Sequence, residues 1–266
     1  MRALRFHKYQ GTGNDFLIAD NREGDYSPLT TEQIERLCDR RFGIGADGLM
    51  LLENKEGADF LMRYFNADGR PGSFCGNGAR CITRFAHLAG IQKDEYVFYA
   101  ADGRHCSRLL SNGSISLLMQ DTKEPQAHNS GFFLDTGSPH LVMEIKDLDN
   151  TDVVSLGRSL RNSERYHPHG VNVNFIQRTP DPFYFRMRTY ERGVEDETYS
   201  CGTGAVAAAL TCATPPIVSQ QMTIQTKGGE LEVRFTKKVN GFGDIWLSGP
   251  AKWVFETRLD PQHFFS

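Results

Sequence analysis

Cys75 and Cys201 are the residues whose type and setting could move a proton. Each stands directly before a Gly-x-Gly-Ala run, in Cys75-Gly76-Asn77-Gly78-Ala79 and in Cys201-Gly202-Thr203-Gly204-Ala205. Both runs read as the point where a loop becomes a helix. The first amides of a helix have no intrahelical partner, and the dipole puts partial positive charge beside the sulfur. That setting lowers a thiol's pKa and makes the thiolate a usable base. The glycines would let an anionic group reach the same amides. Two such groups on opposite faces of one stereocentre could invert it, one taking a proton and the other returning one. Cys38, Cys81, Cys106 and Cys212 lack this context and read as small structural residues.

The two cysteines lie 126 residues apart, and other landmarks share that interval. Gly11-Thr12-Gly13-Asn14 falls on Gly137-Ser138-Pro139-His140, Tyr64-Phe65-Asn66 on Tyr190-Glu191-Arg192, and Asp102-Gly103 on Gly228-Gly229. The chain is therefore expected to be a duplicated half, with domains at 1–126 and 127–250 and a seam near Pro125 to Asn129. Ala251 to Phe265 runs beyond the repeat and is expected to pack back on the first half.

The elements that must position the cysteines follow from hydrophobic spacing. In the first half, strands are expected at Asp15 to Asp20, Leu49 to Leu52 and Phe60 to Phe65. A helix over Thr30 to Leu37 opens with a capping signal. A second helix, Ala79 to Ala89, stops at Gly90. In the second half, strands are expected at Leu141 to Ile145, Val171 to Ile176 and Phe183 to Tyr190, the last alternating with period two, Phe183, Phe185, Met187 and Thr189 against a polar side of Tyr184, Arg186, Arg188 and Tyr190. Val153 to Leu160 takes the part of the early helix. Ala205 to Ala213, almost all small and apolar, should be buried and stop at Pro215-Pro216. Strand pairs close both halves, from Tyr96 to Met119 and from Met222 to Ser248. The expected fold class is α+β, two pseudo-symmetric domains, each a curled mixed sheet around a buried central helix.

Bulk properties narrow the function. At 266 residues, 39% hydrophobic and 24% charged, the chain can hold two domains of about 100–150 residues. A net charge of −3 without basic runs argues against nucleic acid. No apolar stretch of about 18 residues suggests a membrane span, so a cytoplasmic protein is expected. Gly43-Ile44-Gly45-Ala46-Asp47-Gly48 resembles a dinucleotide fingerprint, but a strand-like run follows it where a helix is needed. His167-Pro168-His169 has no further ligand cluster in the sequence and reads as a solvated loop. No lysine has a Schiff-base context.

With these motifs in order, the chain resembles the diaminopimelate epimerase family. The resemblance rests on Gly11 to Phe16, Gly43 to Gly48, Phe65 to Gly69, Cys75 to Cys81, Gly137 to His140, Val171-Asn172, Tyr190 to Gly193 and Cys201 to Ala205. It implies interconversion of LL- and meso-diaminopimelate without pyridoxal phosphate or any other cofactor, in a cleft between two domains, by a homodimer. Carried over by position, Cys75 and Cys201 are the base and acid, poised by His140 and Glu191. The amides of Gly76-Asn77 and Gly202-Thr203 would hold the reacting carboxylate, and Asn14 would contact the substrate amino acid. Asn66, Asn172, Glu191 and Arg192 would grip the rest. Ser138 and Gly48 depart from the family's usual Asn and Gln. Another racemase of proline or hydroxyproline type is the alternative enzyme, though a small ring has no distal carboxylate for Arg192. A non-catalytic amino-acid-binding protein or thiol sensor is disfavoured by the presence of both thiols with His140 and Glu191.

Overall fold

The computed structural model describes residues 3–128, 131–213 and 219–266. In chain order the first elements are β1 (Leu4–Gly11), β2 (Asn14–Asp20), α1 (Thr31–Cys38), β3 (Gly48–Glu53) and β4 (Phe60–Asn66). Then come α2 (Gly76–Leu88), β5 (Glu95–Ala100), β6 (Gly103–Leu109) and β7 (Ile115–Leu118). The chain continues through β8 (Gln126–His128), β9 (Gly131–Asp135), β10 (Pro139–Glu144), α3 (Val153–Arg161), β11 (Asn172–Arg178) and β12 (Tyr184–Glu191). The last elements are β13 (Asp196–Thr198), α4 (Gly202–Cys212), β14 (Ser219–Thr226), β15 (Gly229–Lys238), β16 (Gly241–Gly249), β17 (Lys252–Leu259) and α5 (Pro261–Phe264). Pro215-Pro216 and Asn129 lie outside the described residues.

The chain packs as two compact units, one running to Leu117 and including Pro250–Ser266, the other Leu118–Gly249. Both are sheet-rich α+β structures with one pairing scheme. In the first, β2 is parallel to β3, β3 antiparallel to β4, β4 parallel to β5, and β5, β6 and β7 pair antiparallel in turn. In the second, β10, β11, β12, β14 and β15 repeat the sequence of directions. Element starts keep the interval of 126: Gly76 and Gly202, Gly103 and Gly229, Ile115 and Gly241.

Within the second unit, α4 is buried along its length against alternate residues of the strands, including Val142, Ile176, Met187, Ile224, Val233 and Leu247. The opposite face of β10 and β11 packs under α3 through Leu141, Val173 and Phe175. The first unit repeats this outer layer, with Leu17, Ala19, Leu49 and Leu51 packed with Ile34 and Leu37 of α1. Strands covered on both faces are continuous apolar runs, which is how β2 and β3 read.

The tail packs on the first unit, and three finer readings change. β17 pairs antiparallel with β1, from Leu4 opposite Leu259 to Gln10 opposite Lys252. It does not run beyond the repeat: Lys252 lies 126 residues after Gln126, and β8 pairs with β9 in the same sense. Phe183 precedes its strand and is 46% exposed. Tyr190, expected on the polar side of β12, is wholly buried because Gly157 of α3 leaves room for its ring.

Candidate functional site

Both cysteines are helix N-caps. Cys75 has φ −123 and ψ 115, Cys201 has φ −124 and ψ 114, and neither side chain caps its own helix. Their carbonyls accept from Ala79 at 2.8 Å and Ala205 at 2.9 Å, closing the first turns. The extended backbone throws each sulfur off the end of its helix, beside amides that have no intrahelical acceptor. The first glycine is open at Gly76, where an added Cβ would meet only Leu117 at 3.9 Å, and tighter at Gly202, where it would lie 2.9 Å from Leu247 Cδ2. The second glycine is closely packed inside its own unit. A Cβ at Gly78 would lie 1.8 Å from Met50 Cε, and one at Gly204 2.3 Å from Asn174 Oδ1.

In the first unit, a tight hairpin between β1 and β2 positions Asn14. Thr12 and Gly13 both have positive φ, 50 and 88, as two-residue hairpins of the primed types require. The Cys75 thiol donates to Asn14 Oδ1 at 3.6 Å, and Asn77 Nδ2 donates to the same oxygen at 3.4 Å. Asn14 Nδ2 donates in turn to Asp47 Oδ2, which fixes which end of the amide faces the sulfur. Behind it, Asp15 is bridged by Lys8 at 2.6 Å and Arg40 at 2.6 Å, and Arg40 also reaches Asp47. Burial works to raise the Asp15 carboxyl, but Arg40 and Lys8 overcome it and hold it at about 2. Asn66 ends β4 at a turn where Gly69 N–H donates to its carbonyl at 2.9 Å.

The sequence reading missed two residues here. Arg80, wholly buried in α2, donates to Thr12 Oγ1 and Asn77 Oδ1, both at 3.0 Å, and so places a cation behind the helix start. Tyr64 fills the space beside two glycines: a Cβ at Gly48 would lie 2.6 Å from its ring and 2.4 Å from Phe65 O, and one at Gly72 2.3 Å from the ring. The Gly48 position thus has no room for a side chain, and an aromatic ring stands beside it. Burial pushes the Tyr64 phenol well up, and the nearby Cys75 adds to this.

In the second unit, β10 and β11 run parallel with His140 opposite Asn172. His140 is wholly buried; its Nε2 lies 3.0 Å from Thr203 Oγ1, and that oxygen lies 3.5 Å from Cys201 Sγ. The histidine therefore reaches Cys201 through the Thr203 hydroxyl. Burial, reinforced by Arg192, pushes its pKa down to about 3. Asn172 Nδ2 donates to Ser138 Oγ at 2.9 Å and to Pro139 O at 3.1 Å, and its Oδ1 accepts from the Arg192 amide at 2.9 Å. The Arg192 guanidinium reaches Ser138 Oγ at 3.5 Å and His169 O at 3.2 Å. Ser138, Asn172 and Arg192 thus form one polar cluster, with Ser138 Oγ shared by both partners. Glu191 ends β12, and burial pushes its carboxyl up. His167 and His169 are exposed. Asn174 and Thr189 were missed; the signal was a polar residue at the inward parity of β11, among Asn172, Asn174 and Ile176.

Cys38 and Cys81 are buried and their thiols pushed up to about 12, and Cys212 to about 11, as unreactive structural cysteines should be.

The fold, two sheet-rich units with one pairing scheme, is shared with several solved structures. A PhzF-family phenazine biosynthesis protein from Bacillus anthracis matches with a TM-score of 0.75, at 17% identity over 98% of this chain and all of that one. A hydroxyproline epimerase from Agrobacterium vitis matches with a TM-score of 0.63, at 16% identity over 97% of this chain and 91% of that one. Sequence narrows the class. The chain is 48% identical to the diaminopimelate epimerase of Flavobacterium psychrophilum, covering 96% of this chain and all of that one. It is 44% identical to that of Chlorobaculum tepidum, over 92% and 97% respectively. Residues 6–123 and 132–254 match the diaminopimelate epimerase family. The chain belongs to the diaminopimelate epimerase family, an isomerase family.

Proposed function

We propose that this chain interconverts LL- and meso-diaminopimelate by a two-thiol proton transfer that needs no cofactor. The observation that carries the reading is the matched pair of cysteine N-caps, alike in backbone angles to within a degree and related by the repeat. One thiolate removes the α-proton, and the other thiol protonates the opposite face. An amino acid's α-proton is far less acidic than a thiol, so carbanion character must be stabilised electrostatically. The amides of Gly76-Asn77 and Gly202-Thr203 at the two helix starts are the groups suited to the α-carboxylate, with Asn14 on the reacting amino acid. His140 and Glu191 poise the thiols.

Asn66, Asn172 and Arg192 take the distal end, with Ser138 joining them in place of the family's usual Asn. A cationic cluster suits a substrate with a second carboxylate and disfavours a proline-type ring. The reading carries further expectations: a homodimer, a place in lysine and peptidoglycan-precursor biosynthesis, and a reducing cytoplasm that keeps six cysteines free. The apolar side chains Trp253, Val254 and Phe255 exposed on β17 support a self-association surface.

The test is incubation of the pure protein with LL-diaminopimelate and chiral chromatography for the meso isomer. Appearance of meso product without added pyridoxal phosphate is expected. Turnover of proline in its place would overturn the substrate assignment.

A further inference from the structure

Behind Cys201 lies a chain of polar groups whose innermost members, the buried Asn174 and Thr189, have no role above. Asn174 is wholly buried on the inward parity of β11, where an apolar side chain would pack. Its neighbours distinguish the two ends of its amide. Oδ1 accepts from the Thr189 hydroxyl at 3.0 Å, and Nδ2 faces the Leu141 carbonyl at 3.4 Å, which can only accept. The amide therefore turns a donor toward His140 Nδ1, 3.0 Å away. A neutral imidazole carries one N–H, so with Nδ1 accepting the proton sits on Nε2. Nε2–H then donates to Thr203 Oγ1, which leaves the threonine hydrogen to point at Cys201 Sγ.

We propose that Asn174 is a positioning residue that locks His140 in its Nε2–H form, so that His140 acts through Thr203 as a hydrogen-bond donor to the Cys201 sulfur and not as a base that takes its proton. The inference rests on the reading that Cys201 is one of the two reacting thiols. Each link donates toward sulfur, which favours the thiolate over the thiol. Acting as a base at Nε2 would require the Nδ1–H form, which would set two donors against each other at Asn174. Burial keeps the ring neutral across the working pH range, so the imidazolium does not enter. The first unit lacks this chain. The positions 126 residues before His140, Asn174 and Thr203 are Asn14, Gly48 and Asn77, and Asn14, turned by Asp47, offers Cys75 an acceptor.

The test uses the full-length protein without substrate. Long-range 1H–15N spectra of 15N-labelled protein should show one histidine, lost in His140→Gln, with a protonated Nε2 and bare Nδ1 near neutral pH. Alkylation by iodoacetamide at pH 7, read site by site by mass spectrometry, is then compared in Asn174→Leu, Thr203→Val and the double variant. A hydrogen bond to a charged acceptor shifts ionisation about 10- to 150-fold. The lower intrinsic nucleophilicity of an acidic thiol cancels about half of that on a logarithmic scale, leaving about 3- to 12-fold. Cys201 should slow by this factor in either single variant and no further in the double, because both break one chain. Cys75 should keep its rate. An Nδ1–H or doubly protonated His140 would overturn the proposal, as would an unchanged Cys201 rate or additive losses. Should a variant fail to fold, the spectrum of the unaltered protein decides alone. Neither readout involves diaminopimelate: absence of epimerisation would count against the proposed activity and leave the tautomer standing.

Discussion

At the residue scale the two thiols are alike in backbone and unlike in company. Inversion needs a group on each face, so Cys75→Ala and Cys201→Ala should each abolish epimerisation with the melting temperature little changed. A variant retaining more than a small fraction of activity would sink the two-thiol assignment. Arg192→Ala should act mainly on substrate binding, since a charge-assisted carboxylate contact is worth roughly 1.5–3 kcal/mol, about 10- to 150-fold in affinity. Titration calorimetry with meso-diaminopimelate checks it; unchanged binding with a lost fold would make Arg192 structural. His140 supplies a pH test with a definite sign. Its folded pKa is depressed from 6.5 to about 3, so between those values the unfolded chain binds a proton that the native chain refuses. Native stability should fall as pH drops through that window, by a few kcal/mol in order of magnitude. Glu191, with its pKa raised by burial, works oppositely just above its ordinary range. The difference in melting temperature between the parent and His140→Asn should therefore narrow from pH 7 to pH 4, and a constant difference would refute the buried neutral histidine. Cysteine type and the following glycines made the thiols legible in sequence. Arg80 and Tyr64 were not, and Asn174 showed only as a polar residue at an inward position, because what matters in each is which buried neighbour it meets, and that depends on strands far apart in sequence.

At the scale of elements, local chemistry was easiest to read where it is satisfied locally. Thr30 and Gln33 cap α1 reciprocally, at 3.3 Å and 3.0 Å, as the spacing of their side chains indicates. At α3 the Asp152 side chain caps in one direction only, accepting from Ser155 N–H at 3.0 Å. That the tail returns to the first half was read, but its antiparallel register on β1 was not, because the two strands come from opposite ends of the chain and β17 is exposed along most of its length. Gly48, noted only as a departure from family habit, has a packing reason that yields a prediction. Gly48→Ala and Gly72→Ala should each destabilise by about 1–3 kcal/mol through overpacking against Tyr64. Tyr64→Leu should relieve Gly72→Ala, whose closest contacts are ring atoms. It should not relieve Gly48→Ala, because the Phe65 carbonyl oxygen at 2.4 Å is backbone and stays. Denaturant midpoints of the two double variants decide this, and equal rescue would show that the strand shifts freely.

At the scale of the whole molecule, duplication supplies two helix starts that evolved different neighbours: Asn14, Asn77 and Arg80 around one thiol, His140, Thr203 and Asn174 around the other. Such a pair makes a claim about hydrogen that no single site can. A thiol carries one proton, so the acid that protonates the carbanion is not the base that has just received the substrate's proton. In heavy water the acid thiol of the free enzyme already carries deuterium. Product formed early from LL-diaminopimelate should therefore hold deuterium at the inverted centre, while recovered LL substrate stays nearly unlabelled. On the proposed two-thiol reading the meso substrate should give the mirror result, with Cys75 and Cys201 exchanging roles with the direction of reaction. A single base serving both faces would return part of the original hydrogen to the product. Mass spectrometry of product and residual substrate within the first few per cent of conversion separates the two. Early product that keeps the substrate's own hydrogen would rule out the pairing of Cys75 with Cys201.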